Sequence, residues 1–332
     1  MFGKRGDKPR MQGQATRSYI GAGLRLLFDL ALLLLGTITL LFFLLRLTGD
    51  PALVIAGPDA APEQVAAIRT AYGFDQSVAV QYGRYILNLL NLDFGESLVD
   101  GTPALTKVFD ALPATLLLGS FAMALTLLIA LPAGLWLGST RRRGAARLSR
   151  ATLFILQGFP GFVIALLLVQ LFAIQLVWLP ALGNSGPSSW ILPAVSVASF
   201  LAPKLIRLVE ANTAAVMPSN FIRTARANGV PEREILYRHA APNALLGAIA
   251  LIGAQFAFLV TGLVIIEAIF AWPGIGWLLV QSTVNLDFPV VQAITFTIVI
   301  AVFIVNALTE LLQRRLDPRP VSRSDAARGR FW

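Results

Sequence analysis

Six runs of apolar residues divide the chain, at 23–45, 116–137, 151–171, 190–208, 244–266 and 290–312. As helices rising about 1.5 Å per residue, all six are long enough to cross roughly 30 Å of hydrocarbon. The polar connections are uneven in length and pattern. Segment 47–112 has a periodicity of its own. Residues 62–72, closing at Gly73, and 78–90, with Tyr82, Tyr85, Ile86 and Leu89 on one face, read as short amphipathic helices. A second polar stretch, 221–242, reads as two more. Asn220 is placed to cap the first, Gly229 permits the left-handed turn that ends it, and Pro231 sits where the second starts. Pro242 is expected to break the chain just before the fifth run.

Composition fits the same picture. With 56% hydrophobic residues, a mean hydropathy of +0.70 and 14% charged residues, the chain is that of an all-α polytopic membrane protein. The absence of cysteine excludes disulfides and thiolate chemistry, and the single histidine, His239, excludes a histidine cluster. The net charge of +9 is explained by position rather than by a nucleic-acid partner, and none is expected. Of 27 Lys and Arg, 23 fall in the N-terminal stretch to Arg25, the loop around Arg141, Arg142 and Arg143, the 204–240 region and the C-terminal tail. The other four, Arg46, Arg69, Arg84 and Lys107, flank or lie in the first long loop, which carries eight acidic residues between Asp50 and Asp110. By the positive-inside rule both termini and the 221–242 loop are cytoplasmic.

The expected order is therefore a cytoplasmic tail at 1–22, a first transmembrane helix at 23–46 and an external subdomain at 47–112. A five-helix core at 113–314 contains a cytoplasmic loop at 219–242, and a tail follows at 315–332. The first span reads as an uncleaved anchor, because its apolar run is too long for a signal peptide and no small-residue cleavage pattern follows. The acidity of the external subdomain reads either as a solvated face or as a docking surface.

Catalysis finds no support. The chain has no Gly-rich phosphate loop followed by Lys-Ser/Thr, no His-Glu-x-x-His and no paired intramembrane aspartates. Gly119-Ser120 and Gly138-Ser139 lack a base partner. The polar residues within the spans, among them Asp29, Gln157, Gln255, Thr295 and Asn306, are too scattered for a proton relay. They either join helix to helix or line a weakly charged passage. Gly158-Phe159-Pro160-Gly161 and Pro132 can kink their spans. After the fifth run, Glu267, Phe270, Trp272, Pro273, Gly274 and Gly276 form a compact outer segment in which Pro273 is expected to start a short helix. It is either a capped external turn anchored by interfacial tryptophans or part of an outer gate. Glu267 there is costly unless paired or facing water.

The polar loop resembles the cytoplasmic "EAA" motif of the inner-membrane permeases of bacterial ABC importers. That motif reads Glu-Ala-Ala, three residues, Gly, nine residues, Ile, one residue, Leu-Pro. Here Arg223-Thr224-Ala225, Gly229, His239, Ala241 and Pro242 keep the spacing. The departures are similar to the dipeptide/oligopeptide/nickel branch, with its Arg-Thr-Ala-Arg-Ala-x-Gly and Arg-His-Ala strings. Further strings of that branch are Thr48-Gly49-Asp50-Pro51, Tyr72-Gly73-Phe74-Asp75, Gln81-Tyr82, Leu92-Asp93-Phe94-Gly95-Glu96-Ser97 and Leu112-Pro113-Ala114-Thr115. Toward the C-terminus stand the Glu267–Gly276 pattern, Asp287-Phe288-Pro289-Val290-Val291-Gln292 and Leu316-Asp317-Pro318-Arg319. The long external loop resembles the "B"-type permease of the pair.

The resemblance implies a type I importer permease fold, partnered in membrane lipid by a homologous second permease. Two cytoplasmic ATPases, which hold ATP and Mg, and an extracytoplasmic solute-binding protein complete the expected complex. It makes 221–242 the ATPase-coupling loop and the chain itself no enzyme. A peptide is the expected solute, with nickel chelates, glutathione, opines and glycosides carried by similar proteins. A self-contained channel or carrier would call for inverted repeats, broken helices at mid-membrane or buried coupling carboxylates, and none is evident in the sequence.

Overall fold

The computed structural model describes residues 9–48, 50–57, 59–140 and 143–316, which are almost wholly helical, with one isolated bridge between Glu96 and Pro103. The predicted features at 1–8, Gly49, Arg141, Arg142 and 317–332, including Asp317-Pro318-Arg319, lie outside the described residues. In chain order the helices are α1 (Pro9–Thr48), α2 (Pro51–Ala56), α3 (Pro62–Tyr72), α4 (Val78–Leu90) and α5 (Ala104–Ser139). Then come α6 (Arg143–Gly158), α7 (Gly161–Leu168, running on as a π-helical turn through Val169–Gln175), α8 (Pro187–Val216) and α9 (Asn220–Ala227). Next are α10 (Glu232–Glu234, continued by a π-helical Ile235–Ala240), α11 (Ala241–Leu246), α12 (Ile249–Gly262) and α13 (Val264–Ile269). The last two are α14 (Ile275–Val284) and α15 (Phe288–Leu316).

Four of these helices are long and apolar enough to cross a membrane, and six spans result if each of two bent pairs is counted as one. The predicted third span is such a pair. Pro160 offers no N–H to the preceding helix, and α6 and α7 meet at 96°. The fifth is the other, bent by 60° between Leu246 and Ile249. Pro242 is therefore not the breaker it was expected to be. It lies just after the π-helical turn Ile235–Ala240, at the start of α11, and helix runs through it from Glu232 to Leu246. Helix α5 begins at Ala104, within the expected external segment, and carries Pro113 inside it. Likewise the N-terminal helix begins at Pro9 rather than at residue 23.

The chain forms two compact units. One consists of the residues up to Val108 together with Ser282–Phe303. Here α4 lies against the end of α1: Phe42 stacks on Tyr85 at 5.3 Å between centroids, and the Tyr82 hydroxyl meets Thr39 at 2.7 Å. Asp50 accepts from the Ala52 amide at the start of α2 and pairs with Arg69 of α3. Gly73, with φ +69°, closes α3 as its position predicts. Two strings 190 residues apart come together in this unit. The buried Asp287 carboxylate accepts from the Ser97 hydroxyl at 2.5 Å and from the Leu98 amide at 3.0 Å, and Phe94 packs on Phe296 at 5.1 Å.

The second unit consists of Phe109–Gln281 with the residues from Ile304 on. Its apolar interior has two clusters. One gathers Leu135, Leu205, Ile206 and Val209 with Ile222, Ile235 and Ala244, so it joins α5 and α8 to the 220–246 segment. The other gathers Leu118, Leu201, Leu259, Leu263, Phe270 and Trp272 around the 263–275 segment. Each cluster positions one of the two segments singled out from sequence.

Candidate functional site

The 219–246 segment is a helix–turn–helix tied to the core by its apolar underside. Ile222, Ile235 and Ala240 are completely buried in the first cluster. The N-cap position of α9 is Ser219 rather than Asn220, which is the first helical residue. At the turn Gly229 takes φ +80°, and the Val230 amide returns to the Ala225 carbonyl at 3.2 Å. A Cβ at Gly229 would meet nothing within 4 Å, so this glycine is there for its backbone angle and not for space. Arg226 clamps the turn from outside, its Nε and Nη2 donating to the two carboxylate oxygens of Glu232 at 2.5 and 3.1 Å.

The outward residues leave a surface for a partner. Arg223, Thr224, Gly229 and Pro242 are exposed, and Ala225 and His239 are half-buried. Phe221 and Tyr237 are exposed as well. A cleft of about 1180 Å³ opens beside them, bordered by Trp136, Arg223, Arg226, Arg233 and Tyr237. Arg223, Arg233 and two aromatic rings border a cleft that also holds the Arg226–Glu232 pair, and they suit a protein surface that offers carboxylates and a side chain to insert.

A glycine pair fixes how this segment is carried. Gly134 and Gly138, one turn apart on α5, face α8 so closely that a Cβ would stand 2.6 Å from the Val209 side chain and 2.5 Å from the Glu210 carbonyl. This small-x-x-x-small seam lets the two backbones touch. It was missed in the sequence, although the spacing Gly134-Leu135-Trp136-Leu137-Gly138 carries the signal. Beside it, Arg150 of α6 pairs with Glu210 of α8 at 2.5 Å.

The second candidate segment, 267–277, folds around a buried carboxylate. Glu267 is wholly inaccessible and accepts from the Thr115 hydroxyl at 2.7 Å and from the amides of Gly276 and Trp277 at 2.7 and 3.2 Å. Thr115 in turn accepts from the Ile275 amide at 2.8 Å. Burial pushes the Glu267 carboxyl up, and the hydroxyl and the two amides pull it part of the way back. A Cβ on Gly274 would stand 2.4 Å from both a Glu267 oxygen and the Thr115 hydroxyl, and one on Gly276 would stand 2.5 Å from the Val264 Cα. Ala271 turns the chain at φ +46°, and the buried Trp272 donates from Nε1 to the Ala114 carbonyl at 2.9 Å. Phe270 is buried and Pro273 is exposed; helix α14 starts at Ile275, two residues later than expected. Glu267 is thus paired rather than water-facing, and it staples the segment to α5. Thr115, which makes that staple possible, had not been linked to Glu267 from the sequence.

Residues 130–322 match the family described as binding-protein-dependent transport system inner membrane component, and residues 24–119 match the N-terminal region of such membrane components. The chain is 33% identical over 294 residues to the glutathione transport system permease protein GsiC of Salmonella paratyphi A, covering 89% of this chain and 96% of the relative. It is 32% identical, with the same coverage, to GsiC of Escherichia coli K12. Among solved structures, a chain of the inward-facing MetNI methionine ABC transporter aligns with a TM-score of 0.56 at 19% identity, covering 64% of this chain and 96% of that one. A second crystal form of that transporter gives 0.52 with 63% and 96% covered. The helical fold, the apolar spans and the matches along nearly the whole length agree: the chain belongs to the family of inner-membrane components of binding-protein-dependent transport systems, the multi-pass permease subunits of ABC importers.

Proposed function

We propose that this permease forms, with a homologous partner, the passage for a short peptide, and that glutathione, itself a tripeptide, is the first candidate. The identity of about a third to GsiC along nearly the whole chain supports glutathione as a solute. The solute arrives on an extracytoplasmic binding protein that docks on the external subdomain, and Glu267 with the Trp272–Gly276 turn shapes the outer mouth. ATP and Mg are held by two partner ATPases, and this chain contributes no catalytic group.

The observation that carries the reading is the two-faced helix–turn–helix. Its underside is locked into the core by Ile222 and Ile235, while Phe221, Arg223 and Tyr237 point away from it. Force applied to the outer face passes to α5 and α8 through close-packed side chains rather than through a slack loop. Closure of the ATPases then moves α9–α11 as a lever, and the spans alternate between inward- and outward-open states. A helix seated in a groove of the partner supplies the grip. The passage itself needs no strong site, because a solute bound equally well in both states shifts no equilibrium.

Reconstituted into liposomes with its second permease, ATPases and binding protein, the complex should accumulate glutathione or a dipeptide only when ATP is present. Accumulation of neither, with ATPase activity indifferent to both, would refute the peptide assignment.

A further inference from the structure

A cavity of about 190 Å³ opens in the unit built from α1–α4 and the start of α15. It far exceeds the ~10–15 Å³ that one water needs. Its charge is one-sided. Arg46 and Arg84 both line it, and none of the lining residues is an Asp or Glu. This is unexpected in a segment whose charged residues are mostly acidic, and two of those acidic groups are occupied elsewhere: Asp50 pairs with Arg69, and Asp100 with Lys107.

Arg46 is held in place without being neutralised. It lies over the Phe42 ring at 3.5 Å and donates to the Gln81 side chain at 2.5 Å and to the Phe42 carbonyl at 3.3 Å. All three contacts are to uncharged groups, and no carboxylate among the described residues pairs with this half-buried cation. Arg84 reaches over the Gly73 turn and makes no ion pair among the described residues. The Tyr85 hydroxyl on the cavity wall is buried with no hydrogen-bond partner among the described residues. The Gln292 amide, 8% exposed, also lines the cavity. Two guanidinium groups, a hydroxyl donor and an amide converge on a space that contains no carboxylate for them.

We propose that this cavity binds an oxyanion, a phosphate or a carboxylate, through Arg46, Arg84 and the Tyr85 hydroxyl. Depth favours the phosphate of a phospholipid headgroup. The apolar part of α1 ends at Leu44, so Arg46 stands about 3 Å further along the helix, at headgroup level. Tyr72 and Tyr85 on the wall match the aromatic belt found at that level. A soluble phosphate or carboxylate presents the same oxygens to the same donors.

The test is titration calorimetry on the assembled transporter, purified in phosphate-free maltoside detergent. Three probes are compared: dihexanoyl phosphatidylglycerol, inorganic phosphate and acetate. Wild type should bind at least one of them. Arg84→Gln and Tyr85→Phe should each weaken that binding by about tenfold, the loss expected for one charge-assisted hydrogen bond. Both variants should unfold at the wild-type temperature. Arg84 makes no ion pair among the described residues, and the phenylalanine of the second variant keeps the ring that stacks on Phe42. Binding of the short-chain lipid alone identifies a headgroup site, whereas comparable binding of phosphate or acetate identifies a soluble ligand. No binding of any probe, or binding that both variants leave unchanged, overturns the proposal.

Discussion

At the scale of single residues, Glu267 and Gly229 matter for opposite reasons. Glu267 matters for what it touches. Removing its carboxylate leaves the Gly276 and Trp277 amides and the Thr115 hydroxyl buried without an acceptor, at about 1–3 kcal/mol for each unsatisfied donor. Glu267→Ala should therefore lower the unfolding temperature in detergent, with a loss of roughly 3 kcal/mol or more, and should free the 270–277 turn to exchange hydrogen. An unchanged unfolding temperature would remove the staple. Gly229 matters for its backbone alone, since nothing stands near a Cβ there. The sequence made Gly229 legible because a glycine between two polar helical segments has few other uses. It left Glu267 open between a water-facing and a paired carboxylate, because its partner Thr115 lies 152 residues away in the chain.

At the scale of helices, apolar length proved easier to read than continuity. The runs at 116–137, 190–208 and 290–312 each lie within one long helix, α5, α8 and α15. The third and fifth runs are broken, at Phe159-Pro160 and at Gly247-Ala248, since hydropathy measures how apolar a stretch is and not whether its axis bends. The joining of Ser97 to Asp287 was equally hidden, although each stood in a recognisable string. The Gly134–Gly138 seam yields a prediction at this scale. In Gly138→Val the side chain meets the Glu210 carbonyl and Thr213, both part of helix α8, so the two helices must separate. The variant should unfold at lower temperature than wild type and should lose the Arg150–Glu210 pair, whereas Gly144→Val, where a Cβ meets nothing within 4 Å, should behave as wild type. Equal behaviour of the two variants would contradict the seam.

At the scale of the whole molecule, the charge asymmetry predicts that the 220–246 segment faces the cytoplasm. Because the chain has no cysteine, sidedness can be read directly from single-cysteine variants. Asp59→Cys and Asn228→Cys, both at exposed positions, should react with an impermeant thiol reagent from opposite faces of the membrane. Same-face labelling would contradict the six-span topology. The central claim is that 220–246 is the rigid handle through which ATP hydrolysis drives the spans. Its most direct test is ATP hydrolysis by the reconstituted complex, with and without loaded binding protein, in wild type, Gly229→Val and Arg223→Glu. Valine at the left-handed position strains the turn by about 1 kcal/mol or more, and glutamate reverses an exposed charge beside the cleft without touching the core. Both variants should insert and assemble normally yet lose the stimulation of hydrolysis by loaded binding protein, together with transport. Full stimulation and full transport in both would contradict the account.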